Sequence, residues 1–213
     1  MSWSRVVTTP AEAAAVLAAP GDALDLRAAA DLEPVWADLG FTTLAPGELV
    51  RPVEVDLATP ADTRALGARL AGRLRAGDLV VLSGALGAGK TALTQGIGAA
   101  LGVRGQVTSP TFVLARVHRG PLPLVHVDAY RLRDTGVLDL DDLDLDDELP
   151  HSVTVVEWGE GVVEALSPSR LHVELRRGRG TTAAGADHRT ALVRPVGPRW
   201  AVLHEATIRT RCP

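Results

Sequence analysis

Apolar and polar positions along this chain follow two different periods, and the changes between them mark the elements. Val53-Glu54-Val55-Asp56-Leu57 alternates apolar with acidic residues, which predicts a strand with one buried side. From Thr59 to Leu74 the period lengthens, and Leu66, Leu70 and Leu74 fall on one face of a predicted helix. Asp78 to Ser83, DLVVLS, reads as a short buried strand. Lys90 to Leu101 predicts a second helix, with Gly102 as its natural stop. The runs TFVLARVH and LPLVHVDAY flank the turn-prone RGPLP and predict a hairpin. VTVVEW is a further buried strand. RLHVELRR and RTALVRPV are two more, separated by a glycine-rich loop, and RWAVLHEA is expected to close the sheet. With both helices and strands in this reading, the chain is expected to be of the α/β class.

The beginning of the chain reads differently. Met1 to Val50 is rich in alanine, with a short helix expected from Ala11 to Ala19 between Pro10 and Pro20, and it carries no recognisable chemistry. This divides the chain into an N-terminal extension, residues 1–50, and a domain, residues 51–213. No internal repeat is visible. The acidic run from Asp139 to Leu149 alternates leucine with carboxylates and reads as a solvated edge or a helix with one buried side. It lacks the glycine turn of a calcium-binding loop.

Composition narrows the function classes. At 213 residues with 46% hydrophobic and 23% charged content, the chain is long enough for one well-buried domain. No apolar stretch approaches the roughly 20 residues that span a bilayer. The first residues lack the basic and then apolar pattern of an export signal. Cys212 is the only cysteine, which excludes an intrachain disulfide and a four-cysteine zinc site and fits a cytoplasmic location. A net charge of -4 argues against a broadly basic nucleic-acid surface, so any role on RNA is expected to be indirect. The chain has no asparagine and one lysine, Lys90, among abundant arginine. A lysine that survives such a bias marks a place where a compact ammonium cannot be exchanged for a planar guanidinium.

Lys90 lies in Gly84-Ala85-Leu86-Gly87-Ala88-Gly89-Lys90-Thr91, which satisfies GxxxxGK[ST], follows a predicted strand and opens a predicted helix. Glycines let the backbone turn so that its amides converge on phosphate oxygens, and the helix N-terminus adds its positive dipole end. In such a P-loop Lys90 reaches the β- and γ-phosphates of ATP, and the Thr91 hydroxyl ligates Mg²⁺. A carboxylate at the end of a neighbouring strand is also needed, and both Asp128 and Glu157 qualify, since each closes an apolar run. His126 reads as a partly buried strand residue, because no second His or Cys stands at ligand spacing. Ser109-Pro110-Thr111-Phe112 follows the P-loop helix. On local chemistry it reads equally as a loop that senses the γ-phosphate or as a proline turn entering a strand.

Taken together and in order, LSGALGAGKTALTQGIGAALG, VTSPTFVLARV, LVHVDAYRL, VTVVEWGEG and RLHVEL resemble the TsaE family of tRNA threonylcarbamoyladenosine biosynthesis ATPases, over roughly Val53 to Val196. The resemblance implies a P-loop, three-layer fold with a mixed parallel and antiparallel sheet. It also implies Mg²⁺-dependent ATP hydrolysis alongside the TsaB and TsaD proteins, with the transfer to tRNA belonging to TsaD. Carried over by motif, Gly84, Gly87, Ala88, Gly89 and Lys90 bind phosphates, Thr91 and Glu157 hold Mg²⁺, and Asp128 helps organise the hydrolytic site. Thr108 to Thr111 form a switch-like loop, with Ser109 and Thr111 facing the nucleotide. Trp158 packs near the nucleotide or a partner, or is simply a buried strand end. Arg189, in DHRTALV, is the match to a nucleotide-contacting arginine of the family. The N-terminal extension and the charged acidic run depart from the family pattern. The main rival is a small-molecule or nucleotide kinase of the P-loop class, but the SPTF loop and hairpin stand where such kinases keep an arginine-bearing lid. A GTP switch would need an Asn-Lys-x-Asp reader, and the chain has no asparagine.

Overall fold

The computed structural model describes residues 52–110, 114–130, 148–160, 167–178 and 188–200 in full, together with the backbone of four short N-terminal strands. Those strands are β1 (Arg5–Val6), β2 (Leu26–Arg27), β3 (Thr42–Ala45) and β4 (Glu48–Val50). They form a small sheet in the order β1-β2-β4-β3, with β1 and β2 parallel and the other pairs antiparallel. The helix expected at Ala11–Ala19 and most of the acidic run lie outside the described residues.

The main sheet has seven strands: β5 (Val53–Leu57), β6 (Leu79–Ser83), β7 (Ala115–His118), β8 (Leu124–Asp128), β9 (Val153–Glu157), β10 (Arg170–Arg177) and β11 (Arg189–Val196). Their order is β5-β11-β10-β6-β9-β8-β7. The central β10, β6, β9 and β8 run parallel, whereas β11 is antiparallel to both its neighbours and β7 is antiparallel to β8. The expected α/β fold with a mixed sheet is therefore present. Every residue of β6, β8 and β9 is buried, which is why these strands read as continuous apolar runs and not as alternations. Edge strand β5 buries every second residue, as its acidic interruptions foretold.

Helix α1 (Pro60–Ala71) starts at a capping box in which the Asp62 amide donates to Thr59 Oγ1 (3.2 Å) and the Thr59 amide donates to Asp62 Oδ2 (2.9 Å). Helix α2 (Lys90–Ala100) ends one residue before expected, and Gly102 follows at φ 72°. Both helices pack on the same face of the sheet, where Leu66, Leu70, Leu93 and Ile97 join Val80, Leu82, Val155 and Val173 in one core. The opposite face buries a second set, Leu79, Val81, Val125, Val127 and Val156. The expected third layer concerns that face, and residues 131–147 and 161–166, which follow β8 and β9, are outside the described residues.

Of the RWAVLHEA segment expected to close the sheet, residues 201–206 lie outside the described residues, and Arg199 and Trp200 end a 3₁₀ turn, Pro198–Trp200, entered through Gly197 at φ 84°. The Arg199 guanidinium forks onto both Asp78 carboxylate oxygens at 3.0 and 2.8 Å and donates to the Arg73 carbonyl at 2.7 Å. This leaves the Trp200 side chain 1% exposed in the core.

The two helices cross at glycines. A Cβ on Gly96 would meet the Arg64 backbone, and one on Gly67 would meet the Leu93 carbonyl. Gly96→Ala is therefore expected to lose about 1–3 kcal/mol in chemical denaturation, the usual cost of forcing atoms into a packed contact. Gly72→Ala, at φ -63° with only ordinary contacts, is the control. It is expected to change stability by no more than about 0.5 kcal/mol.

Candidate functional site

Parallel pairing brings the carboxyl ends of β6, β9 and β8 to one level, with Leu82 opposite Glu157 and Glu157 opposite Asp128. Beyond β6 the chain turns at Gly84, whose φ of 134° suits glycine and where any Cβ would strike the Leu175 carbonyl of β10. It re-enters a helix at Gly89, φ 109°, the N-cap of α2. The loop thus lies against the sheet edge with backbone alone, and α2 points its N-terminus into the space above the strand ends.

That space is a cleft of about 520 Å³ lined by Leu86, Gly87, Gly89, Lys90, Thr91, Ala92, Ser109, Asp128, Tyr130, Glu157 and Trp158. The Lys90 ammonium donates to the Gly84 and Ala85 carbonyls at 2.8 and 3.1 Å and stands 3.6 Å from the centre of the Trp158 ring. Burial pushes its pKa below the ordinary lysine value, and the negative charges of Glu157 and Asp128 pull partly the other way. Trp158 holds this place at φ 63°, in the left-handed region, at a cost of about 1–2 kcal/mol. Its amide donates to the Leu82 carbonyl at 2.9 Å, and Tyr130 meets the ring edge-on with centroids 5.2 Å apart.

Thr91 Oγ1 donates to Glu157 Oε1 at 2.9 Å, so the hydroxyl and carboxylate assigned to the metal are already neighbours. Asp128 accepts from Ser109 Oγ at 3.3 Å and from the Tyr130 amide at 3.1 Å. The sequence-derived set Gly87, Gly89, Lys90, Thr91, Ser109, Asp128 and Glu157 is thereby gathered around one cleft, with Gly84 and buried Ala88 shaping the loop beneath it. Thr111 lies outside the described residues. Thr108 accepts from Arg116 at 2.7 Å. Arg189 does not line the cleft; its buried side chain packs against the loop, with Cδ and Nε 3.5 Å from where a Gly89 Cβ would stand.

Three contributions were not read from the sequence. Arg177 Nη1 lies 3.7 Å from the Cβ position of Gly87. Leu86 and Tyr130, 85% and 57% exposed, stand at the cleft as large apolar surfaces open to solvent. His126, fully buried, places Nε2 2.9 Å from Glu157 Oε1. The isolated motif LVHVD gave no sign of that contact, which depends on the β8–β9 register.

A profile of the family described as threonylcarbamoyl adenosine biosynthesis protein TsaE matches residues 57–184, more than half of the chain. The chain belongs to the TsaE family. Among its relatives, a Streptomyces coelicolor protein called tRNA threonylcarbamoyladenosine biosynthesis protein TsaE is 61% identical over 142 residues, covering 65% of this chain and 93% of that one. The Bacillus subtilis protein of the same name is 36% identical over 152 residues, covering 70% and 90%. The crystal structure of Bacillus subtilis YdiB superposes with a TM-score of 0.56 at 31% identity, over 70% of this chain and 89% of that one. The matched segment contains β6 to β10 and both helices, whereas only the last residue of β5 reaches it and β11 follows it.

The Lys90–Trp158 contact generates a test without any ligand. A cation over an indole ring contributes about 0.5–2 kcal/mol and perturbs its electronic environment. Lys90→Met is expected to change Trp158 fluorescence, and the same substitution in a Trp158→Phe background is expected to leave the emission unchanged. An emission shift that survives in that background would place the effect at another tryptophan.

Proposed function

We propose that this TsaE-family chain binds ATP with Mg²⁺ and hydrolyses it in support of threonylcarbamoyladenosine formation on tRNA, in the cytoplasm and together with the TsaB and TsaD proteins. The observation that carries the reading is the convergence of Lys90, Thr91 and Glu157 at one mouth of the glycine loop, at the carboxyl edge of a parallel sheet. Family membership supports the pathway, and the names of the relatives attach it to tRNA modification.

The residues fit both groups. Two carboxylates directly opposed on neighbouring strands, Asp128 and Glu157, repel one another and favour a cation between loop and sheet. Thr91 and Glu157, joined by a 2.9 Å hydrogen bond, together offer hard oxygen donors. That donor set suits Mg²⁺, which keeps several waters and takes few protein ligands. When bound, the ion neutralises phosphate charge as it develops. Lys90, freed from the Gly84 and Ala85 carbonyls, adds the charge that the loop amides lack. Asp128, held by Ser109 and the Tyr130 amide, is the second carboxylate of the site and orients the polar groups at its far side. Lys90 is the cationic side chain among the described residues lining the cleft. A further cation, of the kind that contributes about 10³–10⁵ in rate in related chemistries, is assigned in this reading to Arg131, which lies outside the described residues, to Arg189 beside the loop, or to a partner protein.

Lys90→Ala is expected to keep its fold by circular dichroism and to lose at least about 10²-fold in phosphate release, since it removes a preorganised charge. Lys90→Arg is expected to fail largely as well. Wild-type turnover in either variant would remove the assignment. Glu157→Gln is expected to depress Mg²⁺-dependent hydrolysis more than it weakens ADP binding measured without Mg²⁺. Slow hydrolysis by the isolated chain is expected to rise when the TsaB and TsaD proteins are added, and then again or not with tRNA. A partner complex that modifies tRNA through many turnovers without this chain would defeat the proposed role.

A further inference from the structure

His126 is the central residue of β8, opposite Val155 on β9, and Glu157 lies two residues further along β9 on the same face. The two side chains are therefore diagonal neighbours, close enough for an imidazole and a carboxylate to meet. Both are buried, at 0% and 3% exposure, and His126 Nε2 is 2.9 Å from Glu157 Oε1. Thr91 Oγ1 reaches the same oxygen at 2.9 Å. An ionised carboxylate only accepts, so each partner must donate, and the imidazole must carry its hydrogen on Nε2. His126 Nδ1 has no hydrogen-bond partner among the described residues, and the ring stands 6.4 Å from His118 between centroids.

We propose that His126 is a positioning residue for the metal step: it acts through Glu157, fixing one carboxylate oxygen so that the other is presented to the divalent cation and its water shell. Two donors on Oε1, one from α2 and one from β8, remove the rotational freedom of the carboxylate. A hydrogen bond from behind a ligand of this kind commonly sets affinity and activity by about 10–100-fold. His126 itself does not line the cleft. This inference rests on the ATPase reading given above.

The test uses the full chain and two variants. His126→Leu removes both ring nitrogens while keeping an apolar side chain of similar bulk, and His126→Gln restores an amide N–H near the position of Nε2. Nucleotide affinity in excess chelator, Mg²⁺ affinity of the ADP complex by calorimetry, and kcat with KM for ATP are measured for each. His126→Leu is expected to bind ADP without Mg²⁺ as the wild type does, to bind Mg²⁺ about 10–100-fold more weakly, and to lose kcat with KM little changed. His126→Gln is expected to recover most of that loss. Nitrogen-15 spectra of the wild-type imidazole are expected to show the hydrogen on Nε2, a readout that needs no variant to fold. Unaltered Mg²⁺ affinity in His126→Leu, a Gln variant no better than Leu, or an Nε2 that carries no hydrogen would each overturn the proposal. Failure of the wild type itself to bind or hydrolyse ATP is read before any variant and would instead remove the ATPase reading.

Discussion

Everything at the candidate site depends on the parallel register of β6, β9 and β8. Because Leu82, Glu157 and Asp128 stand level, the strand that launches the glycine loop and the strands that end in carboxylates finish at the same height. A slip of one residue would turn Glu157 to the opposite face, away from Thr91 and His126, and would place Val156 at the cleft. Full burial of all three strands makes such a slip costly, since it would exchange the two apolar sets that line the two faces. The functional geometry is thus enforced by the core and not by the loop that bears the motif.

Electrostatically the site is a crowded arrangement of opposite signs in a place with little water. Lys90 is 5% exposed, and Asp128 and Glu157 are 5% and 3% exposed, so none can rely on solvation. Their mutual attraction and the carbonyls of Gly84 and Ala85 hold the ammonium charged against the burial that lowers its pKa. His118, further along the same hairpin, is pushed below the ordinary histidine value by burial, then by His126 and Arg116.

Much of this was legible from local patterns. Continuous apolar runs ending in Ser83, Asp128 and Glu157 identify buried parallel strands and deliver the carboxylates, because period and length carry that information within six residues. The glycine loop is legible because its geometry is local. The His126–Glu157 contact and the packing of Arg189 on Gly89 were not legible, since both depend on which strands become neighbours and in what register. The 3₁₀ turn at Pro198–Trp200 was not legible for a related reason: Arg199 is fixed by Asp78, 121 residues away, and no window of sequence contains both. At the N-terminus, strands of two to four residues are too short to impose a period.

The resting contact between Lys90 and Trp158 has a consequence for affinity. A site that waits with its cation already satisfied does not collapse or repel its own helix end, but any ligand that needs that cation must first compete with an indole ring and two carbonyls. The competition lowers the apparent affinity for every phosphate ligand by the fraction of time the lysine is disengaged. The reduction falls on all such ligands alike, and Trp158, held at a positive φ that tryptophan rarely adopts, shares in setting it with the two carbonyls.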